Sequence, residues 1–338
     1  MARKLRVEYP GAVYHVISRG DHQEPIYRDD TDRQRFLGCL EEACEKTGWQ
    51  IHASVLMGNH YHLLLETPQA NLVAGMKWLQ GTYTQRFNAR HKLRGHLFQG
   101  RYKALNVDGE DRTHFQVVST YIHLNPVRAG LVGGEGEALP TYRWSSYPAY
   151  LLAPRKRPPW LCVDRVLGSL GFRADDAEAR RGYEAYMEGR VVECRAGAAR
   201  EVLEAEWDRI RSGWYLGEAD FRERLLAHLG MGSQSGQRQA DSVSGQAARA
   251  RGEQAAEQWV QQALRSLNLD DAALHSLPKG ADAKLVMAWW LRRQTTVSRR
   301  WIAERLGMGH DTRVTLAVRV VSAAKAGRLE RLRRLLGR

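Results

Sequence analysis

The 338-residue sequence holds only four cysteines, and they form no recognisable framework. Cys39, Cys44, Cys162 and Cys194 lack the C-x-x-C spacing of a zinc knuckle and the density of a secreted disulfide scaffold. They are expected to be reduced packing residues in an intracellular protein. No stretch approaches the roughly twenty apolar residues that a membrane-spanning helix needs. Glu8 and Pro10 interrupt the N-terminal region where a signal peptide would be unbroken and apolar. A soluble, cytoplasmic protein is therefore expected. Negative charge is also scarce, with 38 Asp and Glu against 51 Lys and Arg, a formal net charge of +13. Such an excess points to a polyanionic partner, nucleic acid before membrane surface. The length suits two or three domains.

Periodicity and breakers give the order of elements. A first strand is predicted over Ala12 to Ser18, stopped at Arg19-Gly20-Asp21. A helix follows from about Thr31 to Lys46, burying Phe36, Leu37, Leu40, Ala43 and Cys44, with Asp29, Asp30 and Asp32 at its positive N-terminal end. Two β-rich runs, Gln50 to Met57 and His60 to Glu66, flank Gly58-Asn59, a pair whose tolerance of positive φ suits a tight antiparallel hairpin. A second helix is expected over Leu72 to Asn88, a strand over Tyr102 to Val107, and a third helix over Arg112 to Leu124, broken by Pro126. This β-α-β-β-α-β order predicts an α+β catalytic domain, a ferredoxin-like antiparallel sheet with helices on one face, spanning residues 1–152. Residues 153–229 read as an amphipathic helical connecting region, through Val202, Leu203, Trp207 and Ile210 and then Phe221, Leu225 and Leu229, with no chemistry of its own. The Gly-, Ser- and Gln-rich run 230–252 is expected to be a flexible linker, and 253–338 an all-α domain.

His60-Tyr61-His62 lies within a strand, so both imidazoles share one face and Tyr61 takes the other. Such a pair can hold a metal, or it can be two packed histidines. Tyr121-Ile122-His123-Leu124-Asn125-Pro126 supplies a phenol and a carboxamide four residues apart on one helix face, although Pro126 is expected to put Asn125 at the helix end. The alternative roles are a half-buried tyrosine and a helix C-cap. Together these residues suggest a divalent ion at His60, His62 and Asn125 that polarises a phosphodiester oxygen while Tyr121 attacks phosphorus. Imidazole and amide ligation with a phosphate oxygen favours Mg²⁺ or Mn²⁺ over zinc. A phosphotyrosine keeps the energy of the broken linkage, which suits cutting and rejoining. His123 is expected to be structural, and His15 either a satisfied sheet histidine or a residue near the metal.

These segments resemble the REP-associated tyrosine transposases, within the single-tyrosine HUH transposases. The resemblance rests on Tyr14-His15-Val16-Ile17-Ser18-Arg19-Gly20, Met57 through Leu64, Gly95 through Lys103, Tyr121 through Leu131, and Trp144-Ser145-Ser146-Tyr147. It implies that His60 and His62 are the paired histidines, that Tyr121 is the nucleophile, and that Asn125 stands where relatives often carry glutamine. It further implies nicking of single-stranded DNA beside palindromic hairpins, leaving a 5′-phosphotyrosine and a 3′-hydroxyl. Arg101 and Lys103, beside Phe98 and Tyr102, and Arg128 after the third helix are candidates for holding phosphates while bases stack on the rings.

Toward the C-terminus, a helix from about Ser298, a turn at Gly307-Met308-Gly309 and a second helix from about Thr312 form a helix-turn-helix pattern. Val314, Val318 and Val321 would face the core, leaving Arg313, Thr315 and Arg319 as base or phosphate readers for duplex DNA. Residues 299–338 carry 11 Lys and Arg against 3 Asp and Glu. Trp289, Trp290 and Trp301 are expected in the core. The leading expectation is a metal-dependent DNA transposase acting on single-stranded hairpins, a monomer rather than a dimer. The rivals are a DNA-binding regulator of repeats without cleavage activity and an RNA-binding module. The lack of an aromatic RNA-binding motif on the first and third strands counts against the latter.

Overall fold

The computed structural model describes residues 7–132, 137–195, 197–231 and 245–336. They fall into two compact units. The first is built on β1 (Ala12–Arg19), α1 (Asp30–Thr47), β2 (Gln50–Leu56), β3 (His60–Thr67), α2 (Leu72–His91), β4 (Lys103–Val107) and α3 (Arg112–Arg128). Its sheet runs β2-β3-β1-β4, with each of these neighbours antiparallel. The local signals act as the sequence suggests at several points. Asp29 caps α1 by accepting from the Asp32 amide, and Gly48 closes it in the left-handed region at φ 71°.

Two turns differ from expectation. Gly58 and Asn59 are not among the described residues at positive φ, although they close the β2–β3 hairpin through Met57 N–H to the His60 carbonyl. Outside contacts set that loop: the Asn59 amide donates to the Gln23 carbonyl, and the Asn59 carbonyl accepts from Gly20. Helix α3 does not stop before Pro126 but continues through it to Arg128. The proline forgoes a hydrogen bond to the Ile122 carbonyl, a disruption of about 3 kcal/mol in a helix interior. Burial of the surrounding turn, from Val118 to Pro126, opposes that cost.

Helices cover both faces of the sheet rather than one. On one face Tyr61 packs on Phe36 of α1, ring centroids 4.7 Å apart, and Gln80 of α2 donates to Ser18 and Tyr61. On the other, Val13, Ala53, Val55, Leu64, Leu105 and Val107 join Phe115, Val118, Tyr121 and Ile122 of α3 in one core. The cause is visible in the strands, whose central residues are buried on both sides.

That second core does not end at residue 152. After α4 (Tyr147–Tyr150) and α5 (Asp164–Ser169), α6 (Ala177–Arg195) and α7 (Gly197–Ser212) bring Tyr183, Met187, Leu203, Trp207 and Ile210 into it. A fifth strand, β5 (Tyr215–Leu216), then pairs parallel to β4, and α8 (Ala219–Met231) follows. The segment expected to be a helical connector is thus part of the fold. Its helical stripe is narrower than expected, because Val202 is 72% exposed.

Trp144-Ser145-Ser146 clasps the free edge of β2. Leu56 donates to the Trp144 carbonyl, Ser146 to the Ser54 carbonyl, and the Ser54 amide to Ser146 Oγ. Buried His123 bridges Ser146 Oγ and Tyr183 Oη at 2.7 Å each, which gives it the structural role expected.

The second unit takes in residues 45–47 at the end of α1, 71–78 at the start of α2, and the C-terminal helices. These helices are α9 (Gly245–Ser266), α10 (Asp271–Ser276), α11 (Asp282–Gln294), α12 (Arg299–Arg305), α13 (Thr312–Ala323) and α14 (Gly327–Leu336). Of the proposed linker, 232–244 lie outside the described residues, and α9 begins at Gly245 within that stretch. Ser298 caps α12, and Gly307 and Gly309 take positive φ in the α12–α13 turn. Val314, Ala317 and Val321 are buried with Trp289 and Trp290, while Val318 and Trp301 are partly buried. Among the described residues no helix is long and apolar enough to cross a membrane.

Burial holds the His123 imidazole down to about 3, against 6.5 when solvated. Between those values the unfolded chain binds a proton that the folded chain excludes, so stability falls as pH drops below 6.5. Thermal melts are expected to shift downward from pH 7 to pH 4.5, with a shallower dependence in His123→Gln. An identical slope in that variant would remove His123 as a cause.

Candidate active site

The β1–β3 register sets Ile17 opposite His62, Arg19 opposite His60 and His15 opposite Leu64. Directly opposed residues share a face. His15, Ile17 and Arg19 therefore line the same face as His60 and His62, the face that α3 covers. Tyr61, between the histidines, turns to the other face and is fully buried there.

Each histidine of the pair has a partner for Nδ1. His60 Nδ1 donates to Asn59 Oδ1 at 2.7 Å, an assignment fixed because the Asn59 amide nitrogen is committed to Gln23. His62 Nδ1 lies 2.9 Å from His15 Nε2, with both rings buried and nearly parallel. When His62 Nδ1 donates in that pair, Nε2 carries the lone pair on both His60 and His62. Burial keeps these rings neutral: His15 is held down to about 3, and His60 to about 4 with help from the Arg19 charge. His62 lies well below the usual histidine range for the same first reason, with the neighbouring histidines adding to it. Neutral imidazoles offer donor lone pairs at physiological pH.

Tyr121 projects from α3 onto this pair. Its ring meets both His15 and His62 edge-on, centroids 5.7 Å away in each case. On its far side is Trp207 of α7, at 5.6 Å. The Arg128 guanidinium lies over both rings, 4.9 Å from Tyr121 and 4.7 Å from Trp207, and pairs with Glu204 at 3.2 Å. Each cation–π contact contributes on the order of 0.5–2 kcal/mol. Tyr121 is consequently only 4% exposed. Arg128 is engaged within the fold, rather than turned freely to solvent.

Asn125 stands one turn beyond Tyr121, inside the helix, and its Nδ2 donates to the Tyr121 carbonyl at 2.9 Å. This anchors the amide and leaves Oδ1 as its remaining acceptor. Arg101 and Lys103 are exposed, the latter paired with Ile17 across β1–β4. Phe98 and Tyr102 are buried, Phe98 edge-on to Tyr61, so their rings do not offer stacking platforms for bases. Arg313, Thr315 and Arg319 belong to the second unit and are exposed on α13, where Thr315 accepts from Arg299 at 3.1 Å.

Among the described residues, no three His, Cys, Asp or Glu side chains form a ready metal-ligand group. The donor chemistry nonetheless fits a divalent ion: two neutral imidazoles with Nδ1 engaged, and an amide oxygen one helical turn from Tyr121. Sequence reasoning missed Trp207 and Glu204, whose approach to Tyr121 and Arg128 has no signature in local spacing. Asn59 was legible only as a turn residue.

Residues 9–125 match the family described as transposase IS200 like. No curated protein matches the chain. Among solved structures, the chain is similar to one described as the structure of the REP-associated tyrosine transposase bound to a REP hairpin, at 16% identity and a TM-score of 0.37. That similarity covers 49% of this chain and 93% of the other.

Trp207→Ala removes a nearly fully buried ring from beside Tyr121 and is expected to cost about 3–5 kcal/mol. Urea unfolding measures that loss; a change below about 1 kcal/mol, within the range of surface substitutions, would show that α7 does not support the Tyr121 side chain.

Proposed function

We propose that this protein is a divalent-metal-dependent, single-tyrosine DNA transposase that cleaves and rejoins single-stranded DNA beside palindromic hairpins. The observation that carries this reading is the meeting of Tyr121 from α3 with the His62–His15 pair from β3 and β1, residues far apart in sequence. In an IS200-like domain, a phenol against neutral imidazoles suits phosphoryl transfer. His60 and His62, with Asn125 through Oδ1, would hold Mg²⁺ or Mn²⁺, which would polarise a phosphodiester oxygen.

The chain supplies the nucleophile and its orientation. Tyr121 Oη attacks phosphorus and releases its proton, the bond from phosphorus to the 3′ oxygen breaks, and that oxygen leaves as a 3′-hydroxyl after taking up a proton. The fragment on the 3′ side of the nick remains joined through its 5′ phosphate as a phosphotyrosine ester. A DNA hydroxyl reverses the step by displacing Tyr121, without an external energy source. Arg128 and Trp207 hold the phenol ring in a fixed plane. Arg101 and Lys103 serve as phosphate contacts on the exposed edge.

The second unit is proposed to bind duplex DNA, with α12 and α13 as a helix-turn-helix and Arg313, Thr315 and Arg319 on the reading helix. Their exposure on α13, opposite buried Val314 and Val321, supports this assignment. The proposed assembly is a monomer acting in the cytoplasm.

A second reading, a repeat-binding regulator without cleavage activity, draws on the burial of Tyr121 beneath Trp207. Incubation with labelled single-stranded hairpins and Mg²⁺ or Mn²⁺ separates the two. The wild type is expected to give a covalent adduct on denaturing gels, and Tyr121→Phe to give none while still binding. Binding without adduct across a broad hairpin library and both metals would establish the regulator.

For the C-terminal unit, Arg313→Ala with Arg319→Ala is expected to weaken duplex binding. The slope of log affinity against log salt should fall by about 1 for each phosphate that the variant no longer neutralises, measured by fluorescence anisotropy. An unchanged slope and affinity would exclude α13 as the DNA-facing helix.

A further inference from the structure

The fold accounts for the Tyr14–Gly20 segment residue by residue, with one exception. Tyr14 donates to the Val7 carbonyl, His15 meets His62, Val16 is core, Ile17 pairs with both His62 and Lys103, and Ser18 accepts from Gln80. Gly20 admits no side chain, since a Cβ there would stand 2.1 Å from the Glu24 carbonyl oxygen. Arg19 is exposed, and among the described residues its guanidinium makes no ion pair or hydrogen bond. Arg86, Arg90, Arg157 and Arg165 of the same unit are all tied to carboxylates.

Its position gives that free cation a use. Arg19 is the last residue of β1 and stands opposite His60, on the histidine-bearing face. Here the site opens: His60 is half-buried, whereas His62 and His15 behind it are buried. Exposed Lys103 lies across β1 from the same row, opposite Ile17. The Arg19 charge reaches inward as well, disfavouring protonation of both His60 and His62.

We propose that Arg19 is the residue that grips the scissile phosphodiester, its guanidinium hydrogen-bonding the non-bridging oxygens at the mouth of the site beside His60. The assignment rests on the transposase reading above. A planar guanidinium fork matches two phosphate oxygens, fixing the phosphorus as well as attracting it. It also supplies positive charge where the transition state gathers negative charge.

The test walks a single neutral methylphosphonate along a hairpin strand and measures affinity in EDTA, which separates binding from cleavage. At one linkage, the substitution is expected to weaken the wild type about 10-fold, matching one charge-assisted hydrogen-bonded contact. The same substitution should cost Arg19→Ala less than about 2-fold, because its charged partner is already gone. Arg19→Lys, which keeps the charge but not the fork, should retain part of the effect. In the adduct assay Arg19→Ala is expected to slow phosphotyrosine formation about 10²–10³-fold.

Equal sensitivity of wild type and Arg19→Ala at every linkage would overturn the assignment, leaving Arg19 as diffuse surface charge. A coupled linkage with no adduct from the wild type would keep Arg19 as a phosphate contact and sink the cleavage reading instead. Circular dichroism of the variants controls for folding, which an exposed strand-end side chain should not disturb.

Discussion

The antiparallel register between β1 and β3 is the constraint on which the site depends. It sets His15, Ile17 and Arg19 beside His60 and His62 on one face of the sheet. A slip by one residue would send the β1 row to the opposite face, against α1 and α2, and dissolve the His15–His62 contact. The register is held by burial on both faces, so neither row can turn outward without exposing core. A buried polar pair is thereby fixed in place by the apolar residues around it. Water is excluded from the inner imidazoles, and the same exclusion keeps them neutral and able to donate lone pairs.

The second face of the sheet shows how far the site extends beyond its motifs. Tyr121 is held between imidazoles on one side and Trp207 on the other, with Arg128 spanning the outer pair and Glu204 fixing Arg128. The mostly buried guanidinium would carry an unopposed charge without Glu204, so the ion pair and the ring contacts support each other. Helix α7 is thus a wall of the site, and β5 shares in the same construction by extending the sheet beyond β4. A phenol enclosed in this way has few orientations open to it, which favours a single geometry over rapid exchange with solvent.

The local part of this architecture was legible in the chain. Alternation placed His60 and His62 together with Tyr61 opposed, acidic residues marked the start of α1, and Gly48 marked its end. What failed depended on distant contacts. Val202 through Ile210 show an amphipathic helix, but nothing in their spacing says that Trp207 meets Tyr121. Gly58-Asn59 suggested a positive-φ turn because the pair tolerates one, yet contacts to Gly20 and Gln23 set its conformation. Pro126 is a strong local breaker, overridden where the turn around it is buried. His15 was ambiguous for the same reason: only the strand pairing decides whether a lone histidine meets another.

Charge has a similar division between what the fold uses and what it leaves over. In the first unit several arginines close ion pairs that bind one element to another, such as Arg90 to Asp29 and Asp32, and Arg157 to Asp175. These contribute to the positive count without offering it to a ligand, because each is neutralised locally. The cations available to a polyanion are those without carboxylates, and on the sheet they stand where the buried histidine row reaches solvent. Long-range attraction follows the summed charge, whereas contact with a phosphate needs an unpaired side chain at a fixed site. The sheet therefore imposes order on a chain whose composition alone indicates only affinity for anions: it sets Arg19 at a particular place, opposite His60 at the end of β1.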